Sequence, residues 1–174
     1  CAFSPDSTLL AVTHYTSPYI TVYSIDSGVL TKLDSPATLP TGQGNGCAFS
    51  PDGTLLAVAH NTSPYITVYS IDSGVLTKIS NPANLPTGTG TGCAFSPDGS
   101  LLAVTHYTSP YITVYSVSGG VLTKLDDPAT LPTSQGGCAF SSDGQYLAVA
   151  HYSSPYLTVF DGAYNTGATH NIIF

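Results

Sequence analysis

A string of about 46 residues that begins with cysteine recurs four times along this chain of 174 residues. In its second copy the string opens with CAFSPDGTLLAVAH and continues to PYITVYS. The copies begin at residues 1, 47, 93 and 138, so that their spacings are 46, 46 and 45 residues. A period of this length is typical of propellers, solenoids and other arrays, in which each repeat packs against the next. The repeat therefore constrains the fold more strongly than any single motif.

Each repeat is predicted to contain four short β-strands. In the second copy they cover residues 46–49, 54–59, 65–70 and 75–79. The Ser-Pro-Asp-Gly segment at residues 50–53 has Pro and Gly where a type I turn favours them. The Leu-Leu-Ala-Val stretch of the second strand is apolar without alternation, which indicates burial on both faces. Small residues in the first strand and a lysine in the fourth predict that the strands run from a crowded axis to a solvent-exposed rim.

The second copy resembles the WD40-type β-propeller repeat and the related bacterial YVTN-like repeats. The matching residues are Phe49, Ser50, Pro51, Asp52, Gly53, Leu55, Leu56, Ala57, Ile66, Val68 and Tyr69. Tyr and Ser replace the Trp-Asp pair of a WD40 repeat and the Gly-His pair is missing, so the hydrogen-bonded tetrad of that family is not carried over. The resemblance implies an all-β propeller of four-stranded blades. The Thr- and Gly-rich linkers are also similar to repeat arrays in phage tail-associated and bacterial surface proteins.

We expect one blade per repeat, at residues 1–46, 47–92, 93–137 and 138–174, together forming one propeller or part-propeller domain. The last blade is atypical, and its segment His170–Phe174 is interpreted either as an outer strand or as a docking tail. Four blades leave three alternatives: two chains close an eight-bladed ring, further residues complete a larger array, or four blades close alone. Open blade faces favour the first two, and they predict self-association as a homo-oligomer or filament.

The charge of the chain argues against two classes of partner. The sequence contains three Lys and no Arg, and its formal net charge is −7. Nucleic acids and anionic membrane surfaces require clustered basic residues, so neither is expected as a partner. No stretch approaches the roughly 18 apolar residues of a membrane span. We also expect no cofactor, and the cysteines lack the paired spacing of a zinc site.

Candidate binding residues are expected on one face of the blades. The loop after the second strand reads HYTSP, HNTSP, HYTSP and HYSSP, and it is expected to lie beside the linkers that contain Gln43 and Gln135. Aromatic and amide side chains suit a glycan or a protein surface. The candidate ligand-binding residues are Tyr15, Tyr107, Tyr152 and Asn61, with the neighbouring His14, His60, His106 and His151. The histidines have an alternative structural interpretation, in which each bonds to Ser or Thr of its own loop.

The aspartates of the turns between the first and second strands are interpreted as structural turn residues rather than catalytic carboxylates. They are Asp6, Asp52, Asp98 and Asp143. Together these features predict a non-catalytic, multivalent binding or structural module at a cell or virion surface, as in a phage tail or a surface appendage. A self-assembling extracellular filament subunit is the first alternative. A propeller enzyme with a pocket at the ring centre is the second, and it would require the repeats to differ around that pocket.

Overall fold

A computed structural model describes residues 1–161 and 171–172. These residues form four antiparallel four-stranded sheets, one per repeat, with the strands in chain order across each sheet. Blade 1 contains β1 (Ala2–Phe3), β2 (Leu9–Thr13), β3 (Ile20–Asp26) and β4 (Val29–Lys32); blade 2 contains β5 (Gly44–Phe49), β6 (Leu55–His60), β7 (Ile66–Asp72) and β8 (Val75–Lys78). Blade 3 contains β9 (Gly90–Phe95), β10 (Leu101–His106), β11 (Ile112–Ser118) and β12 (Val121–Lys124); blade 4 contains β13 (Cys138–Phe140), β14 (Tyr146–Ala150), β15 (Leu157–Asp161) and β16 (Asn171–Ile172). Within the described ranges, no helix has the length and apolar character needed to span a membrane.

The first strands of successive blades lie against one another. A Cβ atom added at Gly46 would lie 3.1 Å from the Cα atom of Gly92, so a larger residue would push the two strands apart. The side-chain amide of Asn45 donates a hydrogen bond of 2.7 Å to the backbone oxygen of Gly90 in the next blade. At the other edge of the sheets, the fourth strands carry Lys32, Lys78 and Lys124. The predicted order from crowded axis to charged rim is therefore confirmed.

The seams between blades form the apolar core. At the first seam, Leu56 and Tyr69 of blade 2 pack with Ile20 and Val22 of blade 1. Equivalent residues build the other two seams. Each blade thus places a face of large side chains on a face of small and branched side chains belonging to the blade before it. Strands β6 and β10 are buried along their whole length, as their unbroken apolar sequence predicted.

Buried tyrosines attach the long linkers to the seams. The hydroxyl of Tyr69 donates to the backbone oxygen of Thr38 at 2.9 Å, and the hydroxyl of Tyr115 donates to that of Asn84 at the same distance. Both tyrosine side chains are fully buried, so these bonds satisfy hydroxyls that would otherwise lose their water partners. The linkers are consequently fixed over the outer part of each seam.

The first and last blades differ from the inner ones in ways that follow from their position. Phe3 of blade 1 is 62% exposed, whereas the equivalent Phe49 of blade 2 is 8% exposed because blade 1 covers it. In blade 4, the segment Asn171–Ile172 pairs with β15 as the outer strand, which was one of the two predicted alternatives for this region. His170, Ile173 and Phe174 lie outside the described residues.

A matched pair of substitutions tests the seam packing. Leu76 and Leu30 occupy the same repeat position, but Leu76 is 5% exposed and Leu30 is 52% exposed. Leu76→Ala is expected to lower the free energy of unfolding by about 2–3 kcal/mol, because it leaves a cavity at the first seam. Leu30→Ala should cost less than about 1 kcal/mol. Urea unfolding of both variants measures the difference, and equal losses would contradict the packing described.

Candidate functional site

The loops after the second strands and the linkers before the first strands lie together, and we call this surface the loop face. It comprises residues 14–19, 60–65, 106–111 and 151–156 with linker residues 41–45, 87–91 and 133–136. The Thr41 hydroxyl donates to the backbone oxygen of Ser63 at 2.8 Å, and the backbone N–H of Asn61 donates to the backbone oxygen of Gln43 at 3.1 Å. Equivalent bonds recur in the next blade. The expected grouping of loops and linkers is therefore present.

The four loops share the same turn at their common Ser-Pro-Tyr sequence. The Ser17–Pro18 peptide bond is cis, and the Tyr19 amide donates to the backbone oxygen of Thr16 at 2.9 Å. This is the arrangement of a type VI turn. The other three Ser-Pro bonds are also cis. The residue after each histidine, which precedes this turn, is exposed; these residues are Tyr15, Asn61, Tyr107 and Tyr152.

The four histidines are held by bonds within their own blades. Each Nε2 atom lies 2.9–3.1 Å from a threonine hydroxyl of the third strand, in the pairs His14–Thr21, His60–Thr67, His106–Thr113 and His151–Thr158. In blades 1, 3 and 4 the Nδ1 atom also bonds to a loop carbonyl. A carbonyl only accepts hydrogen bonds, so Nδ1 carries the proton and Nε2 accepts from threonine.

The inner histidines are also unsuited to act as bases. Burial lowers the pKa of His60 to about 4 and lowers that of His106, so both rings are neutral at pH 7. The Nδ1 atom of His60 is buried without a hydrogen-bond partner. His60 and His106 end β6 and β10, whereas the sequence placed them just after these strands. The geometry gives these residues a structural task, and their role in ligand binding stays a prediction.

The turn aspartates lie at the opposite end of the strands from the loop face. Asp52 accepts hydrogen bonds from the Ser50 hydroxyl at 2.5 Å and from the Thr54 amide at 3.0 Å. Gly53 closes the turn at φ 73°, a value that favours glycine. Hydrogen bonds lower the pKa values of the four turn aspartates, Asp6, Asp52, Asp98 and Asp143. The largest contribution comes from the hydroxyl of the Ser two residues before each Asp, and smaller ones come from the residue two positions after it.

A cleft of about 330 Å³ opens on this turn side, between blades 3 and 4. Asp98 and Asp143 line it together with Phe140 and Phe160. Both turn carboxylates already accept hydrogen bonds from neighbouring hydroxyls and amides. Their lowered pKa values make Asp98 and Asp143 weak bases, so they are poorly suited to take a proton from water in a hydrolytic reaction.

Neutral polar side chains lie together beside the axis in a group that we call the axial polar cluster: Gln43, Asn45, Thr89 and Thr91. The sequence analysis expected Gln43 on this face but did not single out the other three. The Gln43 amide donates to Asn45 Oδ1 at 3.1 Å, and the Thr91 hydroxyl donates to the backbone oxygen of Gly136 at 2.8 Å. The Thr89 hydroxyl donates to the backbone oxygen of Asn61 at 3.2 Å. The cluster thus connects blades 2, 3 and 4 on the loop face.

The repeats differ at the axial polar cluster, and this difference is the signal that could have found it. Gln43 of the first repeat corresponds to Thr89 of the second, and Asn45 corresponds to Thr91. The third repeat is one residue shorter in this region. An active site needs such asymmetry. A comparison of whole repeats does not reveal it, because the repeats are nearly identical elsewhere. Amide and hydroxyl groups at these positions can bond to hydroxyl groups of a ligand and to a carbonyl oxygen.

The cysteines contribute to the seams rather than to the loop face. The thiols of Cys47, Cys93 and Cys138 donate to backbone oxygens of the preceding blade at 3.6–3.9 Å. Burial raises their pKa values, that of Cys138 to about 12, so they are protonated thiols and poor nucleophiles. In the part of the chain that the structure describes, no three His, Cys or Asp side chains are grouped to hold a metal ion.

Four-stranded sheets placed side by side around a common axis define a β-propeller, here in partial form. The family model described as "Lactonase, 7-bladed beta-propeller" matches residues 1–93, which is more than half of the 174 residues. The chain belongs to this lactonase family. A search of curated proteins found no match.

Solved structures share the fold. A candidate 6-phosphogluconolactonase from Bacteroides uniformis has a TM-score of 0.79 at 21% identity, over 98% of this chain and 53% of that protein. A second candidate 6-phosphogluconolactonase, from Bacteroides fragilis, has a TM-score of 0.77 at 18% identity, over 98% and 52%. The hydrazine synthase of Kuenenia stuttgartiensis has a TM-score of 0.73 at 21% identity, over 99% and 48%. The chain therefore spans about half the length of these structures.

The prediction of a non-catalytic binding or structural module is wrong, because the chain belongs to a lactonase family and two of these neighbours are candidate 6-phosphogluconolactonases. The same findings contradict the filament and phage-tail interpretations. The WD40-like resemblance is confirmed only as far as the β-propeller fold. Its matching residues lie in strands and tight turns, which propellers of many functions need alike. Self-association and a location at a cell or virion surface stay predictions.

The turn carboxylates should stabilise the fold in a pH-dependent way. Hydrogen bonds, above all from the Ser50 hydroxyl, lower the pKa of Asp52 in the folded protein. Its contribution to stability is therefore full above the unfolded pKa and is lost as the pH falls through the folded pKa. Asp52→Asn should cost about 1 kcal/mol at pH 7, a modest loss because the carboxylate is mostly exposed. The loss should shrink at pH 2. Asp34→Asn, in an exposed linker, is the control, and a loss for Asp52→Asn that is independent of pH would contradict this role.

His60 should make stability fall on mild acidification. Its pKa is about 4 in the folded protein and about 6.5 when unfolded, so between these values the unfolded state binds the extra proton. The free energy of unfolding should therefore decrease from pH 6.5 to pH 4, with no further contribution from His60 below that. His60→Gln should flatten this part of the profile, while the neighbouring Asn61→Gln should keep it. Identical profiles for His60→Gln and the wild type would contradict the assignment.

Proposed function

We propose that the chain provides four blades of a lactone hydrolase, and that its loop face binds the lactone beside the axial polar cluster. The observation that carries this proposal is the family match over residues 1–93. The second support is that the repeats differ at this cluster, as an asymmetric site requires. The candidate 6-phosphogluconolactonases are about twice as long, so further blades would complete such a ring.

Lactone hydrolysis is the addition of water to a cyclic ester. The water oxygen forms a bond to the carbonyl carbon while a base takes one of its protons, and negative charge develops on the carbonyl oxygen. The ring C–O bond then breaks and the leaving oxygen takes up a proton. The product is an open hydroxy acid, which releases a proton at neutral pH. Catalysis therefore needs donors at the carbonyl oxygen and a fixed orientation of the ring.

The loop face is suited to the binding and orienting parts of this task. Asn45 is exposed, and one of its two amide N–H groups bonds to Gly90, so the amide has capacity for a ligand. The hydroxyls and amides of Thr89 and Gln43 can bond to the hydroxyl groups of a sugar lactone. Exposed Tyr15 and Tyr107 offer aromatic faces for the C–H faces of a sugar ring. Among the described residues of the loop face, no carboxylate stands in the cluster to serve as the base.

Hydrolysis assays on the full chain test this proposal. We expect δ-gluconolactone or its 6-phosphate to be hydrolysed faster than in protein-free buffer, as measured by proton release. Asn45→Ala should reduce kcat/KM about tenfold, which corresponds to the loss of one good hydrogen bond. Asn84→Ala, an exposed amide in a linker away from the cluster, is the matched control and should leave the rate unchanged.

Binding of the product acids, gluconate and 6-phosphogluconate, should be measured by calorimetry on the same samples. If neither lactone is hydrolysed above the blank and neither acid binds, the proposal fails. It also fails if Asn45→Ala and Asn84→Ala change the kinetics equally, because the axial polar cluster would then have no special role.

A further inference from the structure

We propose that Asn45 is a self-modification site, at which spontaneous deamidation converts a neutral hydrogen-bond donor of the axial polar cluster to a carboxylate. The modification goes beyond lactone hydrolysis and does not depend on it. Asn45 is followed by Gly46, and no other asparagine in the sequence is followed by glycine. The residues two positions before the cysteine in the other linkers are Thr91 and Gly136, which have no side-chain amide to lose. The reaction is therefore expected at one of the three linkers only.

Deamidation uses only the chain itself and water. The backbone nitrogen of Gly46 forms a bond to the side-chain carbonyl carbon of Asn45, and the amide nitrogen leaves as ammonia with the proton that Gly46 gives up. The cyclic imide then adds water at one of its two carbonyl carbons, and the ring C–N bond at that carbon breaks. The choice of carbon decides whether the product is aspartate or isoaspartate. In total one water is consumed and one ammonia is released.

The backbone around Asn45 has the freedom that ring closure requires. Gly44 pairs with His60 and Gly46 pairs with Ala59, so Asn45 is the extra residue of a β-bulge in the ladder with β6. The glycine on each side lacks a Cβ atom, which widens the range of backbone angles at these positions and leaves the attacking nitrogen unhindered. Asn45 is also exposed, so water reaches the imide.

A neighbouring amide of the axial polar cluster favours the first step. Negative charge develops on Asn45 Oδ1 while the nitrogen adds to the carbonyl carbon. The Gln43 side-chain amide donates to this oxygen at 3.1 Å, so it stabilises that charge as an oxyanion-hole donor does. The bond from Asn45 Nδ2 to the Gly90 oxygen, at 2.7 Å, opposes the release of ammonia. The reaction therefore proceeds when that bond opens, and Gln43 accelerates it.

The product changes the contact between blades 2 and 3. The new carboxylate cannot donate to the Gly90 oxygen, and the two acceptors repel each other. Thr91 makes the equivalent bond to Gly136 with a hydroxyl, which does not deamidate. Isoaspartate in addition lengthens the main chain next to Gly46, where an added Cβ atom would already lie 3.1 Å from the Cα atom of Gly92. Deamidation should therefore loosen the packing of these first strands and place a negative charge in the cluster.

Mass spectrometry of the full chain tests the proposal. The folded protein is incubated at pH 7 and at pH 9, and its peptides are mapped at intervals. We expect the mass gain of amide-to-acid conversion at Asn45 before it is detected at any other asparagine. The gain should be faster at pH 9, because base removes the proton from the attacking nitrogen. No gain at Asn45, or an earlier gain at another asparagine, would overturn the proposal.

Two substitutions assign the reaction to these residues. Asn45→Thr introduces the residue of the next repeat, which can donate to the following blade, and it should remove the early mass gain. Gln43→Leu removes the donor to Oδ1, and it should slow the gain several-fold while Asn45 stays the first site. An unchanged early gain in Asn45→Thr would place the reaction elsewhere and overturn the proposal. An equal or faster gain in Gln43→Leu would overturn the role given to Gln43.

The structural consequence is measured by urea unfolding of two variants. Asn45→Asp reproduces one of the products, and it should unfold at a lower urea concentration than the wild type. Asn45→Thr should unfold close to the wild type, and equal midpoints for the two variants would contradict the effect on the contact between blades. None of these measurements uses a lactone, so failure of the lactonase proposal leaves this one unaffected. Absence of deamidation at Asn45 would likewise leave the lactonase proposal standing.

Discussion

The packing of unlike blade faces is the interaction on which the rest of the structure depends. Leu56 and the aromatic Tyr69 cover the β-branched Ile20 and Val22 of the preceding blade, and the same kind of contact recurs at each seam. A face of one kind cannot pack equally well on a copy of itself, so successive sheets must stack in one direction. Direction and spacing together bring the loops of every blade to the same side of the molecule.

Close packing at the axis turns this repeated scaffold into a candidate site. Glycines such as Gly46 and Gly92 let the first strands approach, and the linkers that enter these strands are brought together as a result. The Asn45–Gly90 hydrogen bond joins residues 45 positions apart in the chain, and so does the bond from Thr91 to Gly136. These contacts exist only because the blades are adjacent, so the polar cluster is a product of tertiary structure.

This origin explains which features could be predicted from the sequence. The strands, the Ser-Pro-Asp-Gly turn and the rim position of Lys78 follow from local pattern and period, and the structure agrees with them. Each histidine was expected to bond to Ser or Thr of its own loop, whereas the hydroxyl partner of His60 is Thr67 in β7. Asn45 carries no local signal, since a polar residue between two glycines reads as ordinary linker. The function was mistaken because the recognisable residues describe blades, and blades are common to many activities.

Repetition and specificity are compatible here because they reside in different residues. Seam positions are buried, so a change there creates a cavity or a clash and costs stability. Asn45 is exposed and Thr91 is half-buried, and each donates to a backbone oxygen of the next blade, so either residue type can serve at this repeat position. Repeats can therefore stay nearly identical in their cores while the axis acquires an asymmetric set of amides and hydroxyls.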